Sequence, residues 1–475
     1  MDSRMSARAL SHALGGWRTR EPTYEALADG IRLLCLDNRL APRTTLPAER
    51  ELAAVLGLSR STVAAAYASL RGTGHIHSVR GSGSMTLPVA RRDPGITSRV
   101  HRDDIDLQQA SPAAWPGLAG LMAETIADAP SIVARSGYDI VGRHQLRVRV
   151  AEHYTARGVT TSPDEILITT GAQSAIHLLA RSLVTRGDRV LIETPTYPHA
   201  ADALRQAGAR LTAVPVTITD GWDLERAEQV SQRTLPVAAY VMPDFHNPTG
   251  RSMSAHERAA LARSCERAGT TLILDETTGD LDIDRGPLDR GFDRMDPRLV
   301  VRIGSLGKTV WGGLRIGWIR ATPELIRRLV ALRSAQDLGT PELEQVIASA
   351  VLGRFGDVVD QRRHMLRAGR DVMSAALNER LPRWTVPRPS GGVSLWIEMD
   401  APLSAAVVMD ARHRGLLLTS GPRFSVDGGH DRYLRVPFTA APETLVRAAD
   451  ILAESWTTVS RAAPPTLMLR EDAMV

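Results

Sequence analysis

The sequence predicts an α/β fold with a mostly parallel sheet, preceded by a small separate module of short helices. From about residue 165 onward, short β-branched runs alternate with helical segments, which is typical of parallel strands connected by helices. The first 87 residues instead hold amphipathic helical segments followed by a glycine-rich turn. With 475 residues, 43% of them hydrophobic, the chain is long enough for more than one domain and a large core.

Changes in this pattern divide the chain into five segments. We interpret residues 1–20 as an N-terminal extension and residues 21–87 as the helical module. Residues 88–105 carry charge, Pro and Gly without periodicity, so we expect a linker there. Residues 106–463 are expected to form the α/β domain, and residues 464–475 a C-terminal tail.

Composition argues against a membrane protein and against a secreted one. No apolar run approaches the roughly 18 residues that span a bilayer, and the N-terminus lacks the continuous apolar segment of a secretory signal. We therefore expect a cytoplasmic protein with no membrane partner. The two cysteines, Cys35 and Cys265, lie far apart in predicted helices, so neither a disulfide framework nor a metal site is expected.

Positive charge is concentrated at the N-terminal end. The formal net charge is +5, and residues 1–90 hold eleven arginines against seven acidic residues, a net of +4. This asymmetry is compatible with a polyanionic partner.

Lys308 is the only lysine, although lysine and arginine together number 58. Arginine stays protonated and is a poor nucleophile, whereas a lysine amine can lose its proton and condense with a carbonyl. A lysine kept against such a bias indicates chemistry that arginine cannot perform. The count alone leaves a chance survivor as the alternative.

The helical module contains a helix-turn-helix. We predict one helix at residues 48–56, a turn at Gly57-Leu58-Ser59, and a second helix at residues 61–70 that enters the major groove of DNA. Side chains at the start of the second helix, on the first helix and in the glycine-tipped hairpin are suited to phosphate and base contacts. The candidate DNA-binding residues are Arg50, Ser59, Arg60, Ser61, Thr62, Arg80 and Gly81.

This segment, LPAERELAAVLGLSRSTVAAAY followed by GSGSM, resembles the winged helix-turn-helix of the GntR family. The resemblance includes the L-P-x-E-R-x-L-A segment and the S-R-x-T-V start of the recognition helix. It implies a DNA-binding domain. Ala64 and Ala65 stand where the family often carries a charged residue, so the details of base readout are expected to differ.

The segment RIGSLGKTVWGGLRIGW surrounds Lys308, with Ser305 three residues before it and Arg315 seven after it. A hydroxyl and a guanidinium beside a reactive amine suit a phosphate-bearing carbonyl compound. The segment resembles the Schiff-base segment of fold-type I pyridoxal-phosphate enzymes, the aspartate aminotransferase group. That implies a large domain, a smaller α+β C-terminal domain, and pyridoxal 5′-phosphate bound by Lys308 as the catalytic lysine.

The same resemblance assigns residues to the cofactor ring. Asp275, which ends TLILDE 33 residues before Lys308, matches the carboxylate at the pyridinium nitrogen, which an electron sink needs. Asn247 in HNPTG matches an amide that bonds the phenolic oxygen of the ring. Tyr197 in ETPTYPHA matches an aromatic side chain stacked on the ring.

Further residues match the phosphate and substrate groups. Gly171, Ala172 and Gln173 lie at a predicted helix N-terminus, where backbone amides suit a phosphate. Tyr138 matches a tyrosine that reaches the phosphate bound by the partner subunit. Arg435 in YLRVPF matches the arginine that binds the α-carboxylate of a substrate as a bidentate pair, with a solvent-facing arginine as the alternative.

The sequence departs from the aminotransferase pattern after Asp275. The family usually has a tyrosine two or three residues later, which donates to the ring oxygen, but Thr277 and Thr278 stand here. A threonine hydroxyl is shorter and far less acidic than a phenol. Cofactor binding is therefore expected, whereas efficient transamination is in doubt.

Both resemblances, in this order, identify the chain as a member of the MocR subgroup of GntR regulators. This implies a transcriptional regulator that senses pyridoxal phosphate or its adduct with an amino compound. It also implies a homodimer in which each winged helix packs near the large domain of the partner. The alternative is an active aminotransferase with a vestigial or tethering DNA-binding domain, and a third interpretation is a sensor of the cofactor alone.

Overall fold

A computed structural model describes residues 3–15, 17, 22–37, 39–79, 83–87, 104–127, 129–134, 136–286 and 291–462. The N-terminal module consists of β1 (Ser3–Arg4), α1 (Ala7–Leu14), α2 (Thr23–Leu36), β2 (Thr44–Thr45), α3 (Glu49–Leu56), α4 (Arg60–Gly72), β3 (Ile76–Val79) and β4 (Gly83–Thr86).

The module folds around one apolar cluster. Leu27, Ile31 and Leu34 of α2 are buried at helical spacing, which explains why this segment is an amphipathic helix. Leu10 and Leu14 of α1 join the same cluster, so the described part of the first 20 residues packs onto the module. The four strands form a sheet of order β1-β2-β4-β3, in which β3 and β4 are the predicted antiparallel hairpin.

The following elements lead from the linker through the large domain. They are β5 (Ile105–Asp106), α5 (Leu118–Ile126), α6 (Ala129–Val133), α7 (His144–Ala156), β6 (Ile166–Thr169), α8 (Ala172–Leu183), β7 (Arg189–Thr194), α9 (Pro198–Gln206), β8 (Arg210–Thr217), β9 (Gly221–Trp222), α10 (Leu224–Thr234), β10 (Ala238–Val241), α11 (Ala255–Ala268), β11 (Thr271–Asp275), β12 (Val300–Ser305), β13 (Gly317–Arg320), α12 (Pro323–Arg333) and α13 (Glu342–Leu352).

The central sheet has the order β6-β13-β12-β11-β10-β7-β8-β9. Strands β7, β8, β10, β11 and β12 are parallel, and β13 is antiparallel to both β12 and β6. Strand β6 therefore runs in the same direction as β12. The carboxyl ends of these six strands lie at one edge of the sheet, where α/β proteins bind ligands.

A smaller C-terminal domain follows, made of α14 (Phe355–Arg380), β14 (Ser394–Glu398), α15 (Ser404–His413), β15 (Leu416–Leu417), β16 (Thr419–Ser420), β17 (Tyr433–Pro437) and α16 (Pro442–Ala462). Its antiparallel sheet has the order β14-β17-β16, and β5 pairs in parallel with β15. Leu33 of α2 belongs to the apolar core of this domain, so the N-terminal module packs against the small domain of its own chain. Its expected position near the large domain of the partner stays a prediction.

None of the helices in the described ranges combines the length and the apolar character needed to cross a bilayer. Cys35 and Cys265 are both buried and are not joined by a disulfide. Burial raises the pKa of the Cys265 thiol to about 12, which keeps that thiol protonated and unreactive at neutral pH.

Candidate functional site

Five of the predicted site residues lie at the edge of the sheet where the parallel strands end. Gly171 follows β6, Tyr197 follows β7, Asn247 follows β10, Asp275 ends β11 and Ser305 ends β12. The sheet topology therefore brings together residues that are far apart in the sequence. Lys308 comes three residues after β12, at the same edge.

Lys308 is held by the segment that enters the large domain. Its Nζ donates to the carbonyl oxygens of Gln109 at 3.1 Å and Ala110 at 2.9 Å. Burial, and then the positive charge of Arg435, lower the pKa of Lys308 to about 8. A substantial fraction of the amine is therefore neutral, and hence nucleophilic, near physiological pH.

Arg435 on β17 is buried, with 7% of its surface exposed, so the solvent-facing alternative does not hold. Its guanidinium carbon lies 5.0 Å from the ring centroid of Phe424, and Nη2 donates to the carbonyl oxygen of Gln108. Burial lowers the pKa of Arg435 to about 10. Within the described part of the chain its Nε has no hydrogen-bond partner, so a donor remains for a carboxylate.

Asp275 is buried and accepts two hydrogen bonds. The hydroxyl of Tyr240 donates to Oδ2 at 2.5 Å, and the backbone N–H of Thr277 donates to Oδ1 at 3.0 Å. Burial raises the pKa of Asp275, and hydrogen bonds from Thr277 and Tyr240 oppose that rise. Tyr240 could not be predicted as a site residue, because a tyrosine within an apolar strand gives no signal that separates it from core residues.

Two polar side chains of this region, Thr278 and Asn247, differ in whether their oxygen atoms are already hydrogen-bonded. The hydroxyl of Thr278 donates to the carbonyl oxygen of Asp244 at 2.7 Å, so this hydroxyl supports the backbone. Asn247 Oδ1 is buried without a hydrogen-bond partner among the described residues. An unsatisfied buried amide oxygen is costly, which favours a polar ligand beside Asn247.

The opposite side of the edge is built around Gly171, at the N-terminus of α8. Its φ of +77° lies in the left-handed region, and a Cβ there would come within 2.9 Å of Arg315 Nη2. Arg315 also donates to the carbonyl oxygen of Thr170 at 3.2 Å. A guanidinium thus lies directly beside the amides of a helix N-terminus, an arrangement that suits a phosphate.

Ser305 lies at the start of the turn before Lys308. Its hydroxyl donates to the carbonyl oxygen of Ile316 at 3.0 Å and accepts from the backbone N–H of Gly307 at 3.1 Å. The hydroxyl therefore fixes the backbone that presents Lys308, and its predicted contact with a phosphate stays a prediction.

Tyr197 shares the electrostatic environment of the cleft. Burial raises its pKa to about 12, the charge of Asp275 acts in the same direction, and Arg435 and Arg315 oppose the rise. Gln173 donates from Nε2 to the carbonyl oxygen of His199 at 3.3 Å, which links α8 to the start of α9.

Tyr138 is a solvent-exposed residue. It is 73% exposed, in the loop before α7. Its predicted contact with a phosphate requires a second subunit and stays a prediction. Ala172, in contrast, begins α8, and its backbone nitrogen lies close to Gly317.

These residues fit pyridoxal phosphate. Asn247 Oδ1 and Arg435 Nε are buried polar atoms without partners in the described ranges, and Gly171 leaves room for the guanidinium of Arg315. Arg315 and the N-terminus of α8 would hold the phosphate. Asp275 would pair with the ring nitrogen, Asn247 would bond the ring oxygen, and Lys308 would bind the carbonyl carbon. When bound, the cofactor supplies an electron sink for amino compounds.

Replacing Gly171 by Ala should weaken pyridoxal phosphate binding by about tenfold or more, since the new Cβ displaces the guanidinium of Arg315. Left-handed strain of about 1–2 kcal/mol should also lower the free energy of unfolding. Gly269→Ala is the matched control, because Gly269 has a φ of +65° but a Cβ added there would meet no atom of the described residues within 4 Å. Equal cofactor affinities in a fluorescence titration of both variants would contradict the assignment of Gly171.

The second candidate site is the start of α4 in the N-terminal module. Ser59 caps this helix: its Oγ accepts from the backbone N–H of Thr62 at 3.1 Å and lies 2.8 Å from Ser61 Oγ. The side chain of Arg60 is 74% exposed and lies 3.9 Å from the carboxylate of Glu49. A helix N-terminus with exposed hydroxyls and an exposed guanidinium suits DNA phosphates and bases.

The remaining predicted DNA contacts flank this helix. Arg50 is exposed on α3. Val63, Tyr67 and Leu70 are buried as predicted, and the hydroxyl of Tyr67 donates to the carbonyl oxygen of Pro47 at 3.0 Å, which fixes α4 against the turn before α3. Arg80 and Gly81, in the predicted wing, lie outside the described residues.

Comparison with known proteins assigns the N-terminal module and the α/β domain each to a protein family. Residues 124–452 match the model of the aminotransferase class I and II family, and residues 23–85 match that of bacterial regulatory proteins of the gntR family. A 2-aminoadipate transaminase from Thermus thermophilus is 30% identical over 60% of this chain and 73% of its own length. The probable rhizopine catabolism regulatory protein MocR of Rhizobium meliloti is 28% identical over 79% of this chain and 81% of its own length.

A solved structure shares the fold of the large and small domains. LysN, an α-aminoadipate aminotransferase from Thermus thermophilus, complexed with N-(5′-phosphopyridoxyl)-L-leucine, superposes with a TM-score of 0.69 at 27% identity. The superposition covers 75% of this chain and 92% of the LysN chain. Pyridoxal phosphate is accordingly the cofactor of this domain, and the gntR domain binds DNA. The chain therefore belongs to the aminotransferase class I and II family, with a DNA-binding domain of the gntR family in front of the aminotransferase domain.

Proposed function

We propose that this protein is a cytoplasmic, homodimeric transcriptional regulator of the MocR kind that binds operator DNA and senses pyridoxal phosphate or its adduct with an amino compound. The observation that carries the proposal is one chain with residues suited to both roles. Lys308, whose pKa is lowered by burial and by Arg435, and the buried Asp275 suit the cofactor, and Arg60 is exposed at the start of a capped helix. This chain is similar to the MocR relative over 79% of its residues.

The residues of the cleft support sensing of an amino compound. Arg435 can bind a carboxylate through Nε, which has no partner among the described residues, and the lowered pKa of Lys308 makes a fraction of its amine neutral near physiological pH. In this proposal Tyr138, which is 73% exposed, contributes to the cofactor phosphate across the dimer interface.

An active aminotransferase with a tethering DNA-binding domain is the second candidate, favoured by the presence of Lys308, Asp275, Asn247 and Arg435. The hydroxyl of Thr278, engaged with the carbonyl oxygen of Asp244, argues against efficient turnover. The test combines two measurements on one preparation: binding to its own upstream DNA, and turnover with amino acids and a keto acid. Sustained turnover at roughly 1–1,000 per second without DNA binding would replace the regulator by the enzyme.

Replacing Arg60 by Ala should weaken binding to the upstream DNA about 5- to 100-fold, because each lost base or phosphate contact costs roughly 1–3 kcal/mol. The matched control is Arg71→Ala, in the last turn of the same helix and away from its N-terminus. Fluorescence anisotropy gives both affinities, and the visible spectrum of the bound cofactor should stay unchanged. An Arg60→Ala affinity equal to that of wild type would remove this residue from the DNA interface.

A further inference from the structure

The N-terminal module touches the small domain through the end of α2. Helix α2 packs against α15, and Leu33 lies in the core of the small domain. Asp37, the residue that follows α2, is 8% exposed, and its Oδ2 accepts from the hydroxyl of Ser420, which is fully buried, at 3.3 Å. A buried side-chain hydrogen bond thus joins the DNA-binding module to the end of β16.

Ser420 begins a short turn, residues 420–424, that we call the connecting turn. Arg423 in this turn donates to Asp202 of α9 at 2.8 Å. The carbonyl oxygen of Phe424 accepts from the backbone N–H of Thr196, the residue before Tyr197, at 2.9 Å. The connecting turn is therefore fastened to the loop and helix that carry one wall of the cofactor cleft.

The far end of the connecting turn lies under Arg435. The ring of Phe424 lies 5.0 Å from the guanidinium carbon and packs edge to face on Trp396, with ring centroids 5.5 Å apart. A guanidinium over an aromatic ring is held by a cation–π attraction that weakens when the guanidinium shifts. Any carboxylate that draws Arg435 toward itself therefore acts on Phe424.

We propose that the connecting turn is the route by which a carboxylate bound at Arg435 acts on the DNA-binding module, through Phe424, Ser420 and the Asp37 hydrogen bond. This inference rests on the proposed function and deepens it, since it names the regulation of the same site. Because interfaces and packed turns switch between discrete arrangements, a small shift of Phe424 changes the packing of α2 on α15.

Electrostatics at Asp37 make this contact sensitive to the position of the turn. Burial raises the pKa of Asp37 to about 6, and the positive charges of Arg39, Arg423 and Arg412 oppose that rise. Arg423 belongs to the connecting turn. Movement of the turn therefore changes both the hydrogen bond and the charge that Asp37 experiences.

The test measures coupling directly on the full chain. Protein is loaded either with pyridoxal phosphate or with N-(5′-phosphopyridoxyl)-L-leucine, a stable adduct that adds an α-carboxylate, and the Kd for the upstream DNA is measured in both states. The ratio of the two Kd values is the coupling factor, expected to be at least about fivefold in wild type. In Ser420→Ala and in Asp37→Asn we expect it to fall below about twofold.

Asp410→Asn is the matched control, because Asp410 lies on α15 beside α2 but pairs with Arg414 at 2.6 Å rather than with the connecting turn. It should keep the wild-type ratio, and all variants should bind both ligands as wild type does. The inference would be overturned if Ser420→Ala and Asp37→Asn kept the wild-type coupling factor, or if Asp410→Asn lost it to the same degree. A coupling factor of one in wild type would overturn it as well. Failure of wild type to bind DNA or pyridoxal phosphate would instead overturn the proposed function.

Discussion

Replacement of Lys308 by Ala should abolish covalent attachment of pyridoxal phosphate. Lys308 is the only lysine in the chain, so no other lysine amine is available. Borohydride reduction of the wild-type complex should add one phosphopyridoxyl group per chain in a mass spectrum, and the variant should gain none. The visible absorbance of the lysine-bound cofactor should disappear with it.

The pH dependence of attachment provides a second readout. The neutral amine is the form that reacts, and the pKa of Lys308 is lowered to about 8. The attachment rate should therefore rise with pH through about 8 and level off above it. A rate that keeps rising up to the ordinary lysine value of 10.5 would show that burial and Arg435 do not act on this amine.

Replacing Asp275 by Asn should weaken pyridoxal phosphate binding by about 10- to 100-fold, because the buried charge at the ring nitrogen is lost. Titration of the cofactor by fluorescence measures this change. Tyr240→Phe keeps the carboxylate but removes the 2.5 Å hydrogen bond to it, so we expect a smaller loss, about threefold to tenfold.

Stability separates this role of Asp275 from a structural one. Burial raises the pKa of Asp275 in the folded protein, so ionisation opposes folding, and stability is lost as pH rises from the unfolded value of 3.8 through the raised value. Asparagine carries no charge, so Asp275→Asn removes this free-energy cost of ionisation at pH values above the raised pKa. At neutral pH the cofactor-free variant should therefore unfold at the wild-type temperature or higher. A marked fall in Tm with unchanged cofactor affinity would make Asp275 a purely structural residue.

The architecture follows from local patterns in the sequence. Strands β6 and β10 are buried along their whole length, so they appear as continuous apolar runs, and the helices between the strands have clear periodicity. The predicted helix-turn-helix is present as α3 and α4, joined through Gly57, whose φ of +64° needs glycine. The sheet order and the antiparallel β13 depend on long-range packing, which such patterns do not encode.

Residues at strand ends could be predicted because parallel topology gathers them at one edge. Asp275, Asn247 and Gly171 are of this kind. Backbone partners could not be predicted: the carbonyl oxygens of Gln108 and Gln109, which accept from Arg435 and Lys308, carry no side-chain signal. The Asp37 contact with Ser420 joins residues 383 positions apart and depends on how the domains pack.

We expect occupancy of the cofactor cleft to control DNA binding. The Kd for the upstream DNA is measured while cofactor-free wild type and Lys308→Ala are titrated with pyridoxal phosphate and then with amino compounds. We predict a change of about fivefold or more in wild type and none in Lys308→Ala. An unchanged Kd in wild type, together with sustained transamination by the same preparation, would show that the cleft does not regulate DNA binding.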